Sequence, residues 1–313
     1  MSRQKSSKQW RRVDGVFLLD KPSGISSNQA LQRVRHALLA EKGGHTGALD
    51  PLATGMLPLC FGEATKIAGL LLGSAKAYET VAKLGVVTDS ADADGQVIER
   101  RPVPDISDVE LQTALQSLIG KIQQVPPIYS ALKQGGEPLY AKARRGEVVD
   151  VPARPVEVFD ITVIARGADW VRMRVTCGSG TYIRSLVRDL GDHLGCGAHV
   201  AELRRLWVAP FEGRPMRSLD EVLAATAADA STGIAWYTIE QALAHYPRIT
   251  LGDDEEGKVR QGQSLTSRVV DSERFPVVAL DFEGRAVALM EPAPLGGLRP
   301  TRVFAREPVS GGS

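Results

Sequence analysis

The pattern of apolar and polar positions along the chain predicts strands and helices in alternation. Residues 15–21 form a short, nearly continuous apolar run, which is typical of a buried strand. A helix should follow Ser26 or Ser27, either of which can cap its first turn. The apolar face of this helix is formed by Leu31, Val34 and Leu38. Residues 63–72 predict a second helix, and residues 78–87 predict a second strand.

The middle of the chain has clearer boundaries. Ser107 and Glu110 have the spacing of a capping box and should open a helix. Residues 156–165 and 170–177 predict a strand pair, because apolar and polar side chains alternate along the second of these segments. Residues 178–181 then turn the chain into another helix with one apolar face.

The composition changes beyond Pro247, where short β-like segments are separated by glycine and proline. We therefore predict three regions in the chain. They are a basic N-terminal tail at 1–14, a main domain at 15–247 and a small β-rich domain at 248–313. We expect the tail to be a disordered, solvated end.

Length and charge narrow the interpretation. A chain of 313 residues is long enough for two domains. The 38 basic and 37 acidic residues nearly cancel, so a nucleic-acid-binding surface would have to arise from segregated charge. The three cysteines include no CxxC pair, which argues against a disulfide framework or a zinc site and fits a reducing cytoplasm. No apolar run is long enough to span a bilayer, and no signal peptide is evident.

An acidic turn follows the second predicted strand. Three aspartates precede Gly95 in a pattern that resembles a calcium-binding loop. They are Asp89, Asp92 and Asp94. If Gly95 is loop position six, however, Arg101 stands where the bidentate glutamate is required. We therefore interpret this segment as an ordinary acidic turn and expect no metal site.

The segment at residues 43–58 is rich in glycine and proline and cannot form a regular helix or a central strand. Only two of its side chains, His45 and Asp50, can serve in acid, base or nucleophilic chemistry. Asp50 precedes Pro51, which pushes the backbone towards extended geometry and keeps the carboxylate out of a helix. From these residues alone, an ordinary turn is the favoured interpretation.

The longer run GGHTGALDPLATGMLPLCFGEATK resembles, almost residue for residue, the signature loop of the TruB family of tRNA pseudouridine synthases. These enzymes isomerise uridine 55 in the TΨC arm of tRNA. The resemblance implies that Asp50 is the catalytic residue. It also implies that His45 contacts the RNA, where its ring can fill the space left by a flipped-out base.

Further motifs carry the same resemblance. KPSGISS is similar to the first family motif, which implies that Lys21 lies near the substrate; a merely exposed lysine at a strand end is the alternative. GSGTYIRSLVRDLG matches the GTYIR motif, so that Tyr182 would pack on the target base and Arg184 would pair with Asp50. In a later strand the family places an apolar leucine against the base, and Leu203 matches it.

PPIYSALKQGGEPLYAKAR resembles a family segment, part of which forms a flexible insertion gripping the RNA stem-loop, here at about 124–152. Basic side chains interleaved with tyrosines suit an RNA backbone and its bases. The expected backbone contacts, which we call the insertion cations, are Lys133, Arg144 and Arg145. An ordinary surface loop is the alternative.

The chemistry that the resemblance implies needs an ionised carboxylate and no cofactor. Making pseudouridine breaks the bond from N1 to C1′ and rejoins the uracil through C5. Asp50 can attack C1′, as the nucleophiles of glycosidases do, or add to C6 of the ring. Burial would raise the pKa of Asp50, and the guanidinium of Arg184 would lower it again. Tyr78 is the family residue near the base, and it either assists the final proton transfer or only stacks on the uracil.

The resemblance also implies an α+β fold. We expect a catalytic domain built on a mixed, mainly antiparallel sheet with flanking helices, followed by a small β-rich C-terminal RNA-binding domain of the PUA-like kind. The expected partner is the TΨC stem-loop of tRNA, with no membrane and no obligatory protein partner, in the cytoplasm. The alternatives are a non-catalytic RNA-binding or tRNA chaperone protein and a hydrolase that releases free uracil. The intact Asp50, Tyr78 and Arg184 favour the isomerase, since a pure binder has no use for a nucleophile.

Overall fold

The computed structural model of the protein describes residues 9–130, 132–138, 145, 147, 150–228, 236–266, 268 and 275–305. Its strands are β1 (Gly15–Lys21), β2 (Gly43–His45), β3 (Thr54–Phe61), β4 (Lys76–Leu84), β5 (Val86–Thr88), β6 (Val97–Arg100), β7 (Gly120–Gln124), β8 (Lys133–Gln134), β9 (Glu137–Pro138), β10 (Arg154–Arg166), β11 (Trp170–Cys177), β12 (Ala198–Val208), β13 (Arg217–Ser218), β14 (Arg248–Thr250), β15 (Val277–Leu280), β16 (Ala286–Pro292) and β17 (Leu298–Val303). Its helices are α1 (Ser27–Ala37), α2 (Ala68–Leu72), α3 (Asp108–Gln116), α4 (Ile183–His193), α5 (Leu219–Ala228), α6 (Ile239–Ala242) and α7 (Asp253–Arg260), with a 3₁₀ helix at Gly62–Ile67.

The larger sheet of the described residues has nine strands in the order β13-β1-β3-β12-β4-β11-β10-β7, with β2 also paired to β3. The pairs β1–β13 and β3–β12 are parallel, and the others are antiparallel. A separate sheet has the order β14-β15-β16-β17. The predicted α+β class, with a mixed, mainly antiparallel sheet and a small C-terminal β-sheet, is confirmed. No helix among the described residues is long and apolar enough to cross a membrane.

Local sequence signals explain most element boundaries. Ser26, one of the two predicted caps, caps α1, and Ser107 caps α3 within the predicted capping box; Ser26 also forms a capping box, with Gln29. The helix predicted at 63–72 is instead a 3₁₀ helix that continues into the short α2. The hydroxyl of Thr65 donates to the carbonyl of Gly62 at 2.6 Å, a bond at three-residue spacing that suits the tighter helix.

The last residues of the N-terminal tail are ordered, contrary to the expectation of a solvated end. The backbone N–H of Arg11 donates to Leu39 at 2.7 Å, and the N–H of Glu41 donates to Arg11 at 3.0 Å. The Trp10 ring lies under the guanidinium of Arg35, 4.6 Å from its centre. Residues 9–12 are therefore docked beyond the end of α1.

The strand β1 is buried on both faces because two cores meet at it. Phe17 and Leu19 point into the core formed with α1, α3 and α4. Val16 and Leu18 point into a second core, which also contains residues of the C-terminal sheet. Those residues are Val278, Leu280 and Leu289, and Phe304, which directly follows β17, belongs to the same core. The C-terminal sheet thus covers one face of the main sheet through a shared apolar core.

Candidate active site

The loop at residues 46–53 joins β2 to β3 and is fixed at its end by Gly55. Gly55 has a φ of +98°, and a Cβ added there would lie 2.2 Å from the carbonyl oxygen of Arg205. This close approach follows from the parallel pairing of β3 with β12, which sets Gly55 opposite Arg205. Only glycine tolerates both this backbone conformation and this contact, so the sheet sets where the loop begins and ends.

Lys21 lies beneath this loop and has no exposed surface. Its ammonium group donates to the carbonyl oxygens of Pro22 at 2.8 Å, Ile25 at 2.7 Å and Pro51 at 3.2 Å. Burial is the main cause that lowers the pKa of Lys21 to about 8. Its three protons are directed at backbone carbonyls, so Lys21 holds the Asp50–Pro51 turn. The alternative of an exposed lysine at the strand end is wrong, and the position near the substrate stays a prediction.

Asp50 faces Arg184, the second residue of α4. Arg184 Nη2 donates to Oδ1 of Asp50 at 3.1 Å, and Nε lies 2.9 Å from Oδ2. The Nε–H group is not aligned for a hydrogen bond, so the second contact is an ion pair at close range. The side chain of Arg184 is 4% exposed and that of Asp50 is 35% exposed. A buried arginine therefore backs a carboxylate that reaches the solvent.

Three other groups hold the guanidinium of Arg184. It donates to the carbonyl oxygens of Ser90 at 2.9 Å and Tyr129 at 2.8 Å, and Nη1 lies 3.4 Å from Oδ2 of the buried Asp92. This role of the acidic turn could not be predicted from the sequence, because Ser90 and Arg184 are 94 positions apart and no spacing rule connects them. Within the described residues, no group of three or more His, Cys, Asp or Glu side chains could hold a metal ion.

The surroundings of Asp50 act on its pKa in both directions. Burial is the largest cause and raises the pKa above its ordinary value of 3.8. The charge of Arg184 opposes burial, whereas the charge of Asp92 acts with it, and the net direction is upward. A carboxyl group with a shifted pKa and a specific charged partner in a cleft is a candidate catalytic group.

The Asp50–Arg184 pair lines a cavity of about 880 Å³, large enough for a nucleotide. Three residues expected to meet the base also line it, namely Tyr78, Tyr182 and Leu203. Burial raises the pKa of the Tyr78 phenol, so its hydroxyl is protonated at neutral pH and can donate a hydrogen bond.

His45 ends β2 and does not line this cavity. Burial, with a smaller effect from the charge of Arg205, lowers the pKa of His45 below 6.5, so the ring is neutral at pH 7. Its Nδ1 atom is buried without a hydrogen-bond partner in the described part of the chain. A contact between His45 and RNA would therefore be made beside the cavity, not in its wall.

Two cations that the sequence analysis missed, Arg205 and Lys76, also line the cavity and are 1% and 6% exposed. The Lys76 ammonium group donates to the carbonyl oxygens of Leu72 at 2.9 Å and Ser74 at 2.6 Å. Burial, assisted by the charge of Arg205, lowers the pKa of Lys76 to about 8. The alternation of Leu203 and Arg205 along β12 is the signal that could have placed Arg205 in the site.

The structure describes only some of the insertion cations. Arg144 lies outside the described residues, and for Lys133 the structure describes the backbone, in β8. Arg145 forms ion pairs with Glu137 at 2.5 Å and Glu147 at 2.7 Å, and its side chain is 49% exposed. Arg145 is accessible to RNA, but a phosphate would have to compete with these carboxylates.

Two family models and several curated proteins match this chain. The family model for the TruB family pseudouridylate synthase N-terminal domain matches residues 35–183, and the model for the tRNA pseudouridylate synthase B C-terminal domain matches residues 184–243. The tRNA pseudouridine synthase B of Xanthomonas axonopodis pv. citri is 55% identical over 94% of this chain and 95% of its own length. The protein of the same name from Xylella fastidiosa is 52% identical over 94% of this chain and 97% of its own length.

A solved structure shares the fold. It is described as "Structure of H/ACA RNP bound to a substrate RNA containing 2'-deoxyuridine", and one of its chains matches with a TM-score of 0.73. The match has 23% identity and covers 93% of this chain and 85% of that chain, which is a likeness of fold alone. With identities above 50% over nearly the full length of the curated relatives, the chain belongs to the TruB family of pseudouridylate synthases.

Proposed function

We propose that the chain isomerises uridine 55 in the TΨC loop of tRNA to pseudouridine, with Asp50 as the nucleophile on a flipped-out base. The observation that carries the proposal is the contact of the Asp50 carboxylate with the buried Arg184 in the wall of the cavity. The relatives at 52% to 55% identity are named tRNA pseudouridine synthase B, which supports tRNA as the substrate class.

The proposed reaction conserves every atom of the substrate. The bond between N1 and C1′ breaks, the uracil turns, and C5 bonds to C1′ and then loses its proton, while N1 ends protonated. Asp50 supports the first step by attack on C1′ or by addition to C6. Because no water is consumed, no second carboxylate is needed to activate one. This requirement fits a site in which one carboxylate is held against a buried arginine and reaches the solvent.

The other side chains have supporting roles in this proposal. Tyr182 and Leu203 pack on the base, and Tyr78 stacks on it or assists removal of the C5 proton. His45, neutral at pH 7, occupies the space that the flipped base leaves in the tRNA loop. The insertion cations contact the RNA backbone, and the β-rich region at 248–313 binds a further part of the tRNA.

The test is to incubate unmodified tRNA with the purified protein alone, without added cofactor, and then to map pseudouridine and analyse the nucleosides. Pseudouridine at position 55 is expected from the wild-type protein and none from Asp50→Asn. Asp20→Asn is the matched control, because Asp20 also pairs with an arginine, Arg204, but outside the cavity. We expect it to convert tRNA at nearly the wild-type rate.

Three results would each refute the proposal or a part of it. Release of free uracil would identify a hydrolase. Tight tRNA binding without any conversion by the wild-type protein would identify an RNA-binding or chaperone protein. Pseudouridine formed only at other positions would refute the assignment of uridine 55.

A further inference from the structure

We propose that Arg205 is a positioning residue, which ties the Asp50 loop and the Tyr78 side chain to one guanidinium group. The inference rests on the proposed function, in which Asp50 attacks and Tyr78 meets the base. It concerns how Asp50 and Tyr78, which come from distant parts of the chain, are held in a fixed position relative to each other.

Arg205 holds the backbone on both sides of Asp50. Its Nε donates to the carbonyl oxygen of Met56 at 2.6 Å, and its Nη2 donates to the carbonyl oxygen of Gly47 at 3.2 Å. Gly47 precedes Asp50 by three residues, and Met56 follows it by six. One planar group with donors in a fixed arrangement therefore connects the two ends of the segment that carries the nucleophile.

The loop backbone is shaped to lie on this arginine. Gly47 has a φ of +90°, and a Cβ added there would lie 3.6 Å from Nη1 of Arg205, in van der Waals contact. At the other end of the loop, Gly55 lies against the backbone of Arg205 itself. Both glycines of positive φ that flank Asp50 thus meet the same residue of β12.

The same guanidinium also reaches Tyr78. Tyr78 and Arg205 are directly opposite each other in the antiparallel pairing of β4 with β12, so their side chains lie on one face of the sheet. The positive charge of Arg205 acts on the Tyr78 phenol, where it opposes the larger effect of burial on the pKa, and both side chains line the cavity. Arg184 approaches Asp50 from α4, whereas Arg205 fixes the loop and the phenol from the sheet.

A lysine at this position could not reproduce the arrangement. Its three protons radiate from one nitrogen, whereas the carbonyl oxygens of Met56 and Gly47 are bound by separate atoms, Nε and Nη2, of a rigid plane. Arg204 provides a matched control, because it is the adjacent residue on β12. It pairs with Asp20, and its side chain is 41% exposed.

The experiment measures the chemical step and the affinity separately for Arg205→Lys, Arg205→Met and Arg204→Met. Single-turnover conversion at saturating tRNA should be about a hundredfold slower for both Arg205 variants, since misplacement by about an ångström costs on the order of a hundredfold in rate. The dissociation constant from filter binding should change by no more than a few fold. Arg204→Met should match the wild type in both measurements. Thermal unfolding reports whether each variant is folded, and Arg205→Lys, which keeps the charge, preserves the test if Arg205→Met does not fold.

A double-mutant cycle with Tyr78→Phe distinguishes positioning from general destabilisation. Phenylalanine removes the hydroxyl that we propose Arg205 positions, so the Arg205→Lys defect should be clearly smaller in the Tyr78→Phe background than in the wild type. A purely structural role would give the same fold-loss in both backgrounds and would overturn the inference. A wild-type chemical rate in folded Arg205→Lys would also overturn it.

The wild type and Asp50→Asn are run in the same assay. If the wild type makes no pseudouridine, the proposed function itself fails. If the wild type converts tRNA, Asp50→Asn does not, and Arg205→Lys is unimpaired, only the positioning role of Arg205 fails.

Discussion

Replacement of Arg184 by lysine should act as a severe catalytic defect, although it keeps the positive charge. In the structure, Nη2 serves both Oδ1 of Asp50 and the carbonyl of Tyr129, while Nη1 serves the carbonyl of Ser90. An ammonium group concentrates its donors on a single atom at the end of a flexible stem, so it cannot span these acceptors at once. The carboxylate then loses the support that fixes both of its oxygens.

The magnitude follows from this geometry. If the Asp50 carboxylate shifts by about an ångström, the chemical step should slow by about a hundredfold, which is about 2.7 kcal/mol of activation free energy. One backbone carbonyl left without a donor in this buried region should lower the free energy of unfolding by about 1–3 kcal/mol. Affinity for tRNA should change far less, because Arg184 is 4% exposed and faces Asp50.

The assay is single-turnover conversion at saturating tRNA, with affinity measured separately by filter binding and stability by urea unfolding. The matched control is Arg188→Lys on the same helix, since Arg188 pairs with Asp189 and the carbonyl of Val125. We expect the control to keep nearly the full rate. If Arg184→Lys shows a normal chemical step and only weaker binding, Arg184 contacts the RNA backbone and its proposed pairing role is refuted.

Asp50→Asn should abolish turnover and leave tRNA affinity within a few fold. It should not lower the free energy of unfolding at pH 7, because the raised pKa of Asp50 means that its ionised carboxyl group disfavours the folded state. This penalty declines as the pH falls through the folded pKa and is absent below 3.8. Urea unfolding of both proteins at pH 7 and pH 3 checks the prediction. Gly55→Ala should lower the free energy of unfolding, measured with urea, by about 2–5 kcal/mol through backbone strain and overpacking. Gly213→Ala, at φ +68° with open space around it, should lower it through backbone strain alone. Equal losses in the two variants would contradict the contact of Gly55 with β12. Removal of residues 248–313 should abolish cooperative thermal unfolding, because it uncovers the second core, and a truncated protein that melts like the full chain would show that this core is dispensable. Neutralising the three insertion cations should reduce the slope with which the tRNA dissociation constant rises with salt concentration. An unchanged slope would show that other residues make the contacts with the RNA backbone.

The sequence by itself determined the features that depend on neighbouring residues. The capping boxes at Ser26 and Ser107 start helices where predicted, because a cap is a bond between residues three apart. The apolar run Val16–Leu19 in β1 predicted burial, since alternate side chains of a strand point to opposite faces and four consecutive residues here are apolar. The motifs that contain Asp50 and Arg184 were likewise long and contiguous, so the family could be identified from them before any fold was known.

The tertiary structure alone decided what surrounds Asp50. Asp92 and Arg205 reach the site from a turn and a strand far away in the sequence, so only the tertiary structure shows their contacts with Arg184 and with the carbonyl of Met56. The sequence around Lys21 does not show whether its side chain is exposed or buried. Only its three carbonyl acceptors show that it lies under the loop. The second face of β1 is covered by a sheet more than 200 residues later, because an apolar face specifies that it must be buried but not which segment buries it.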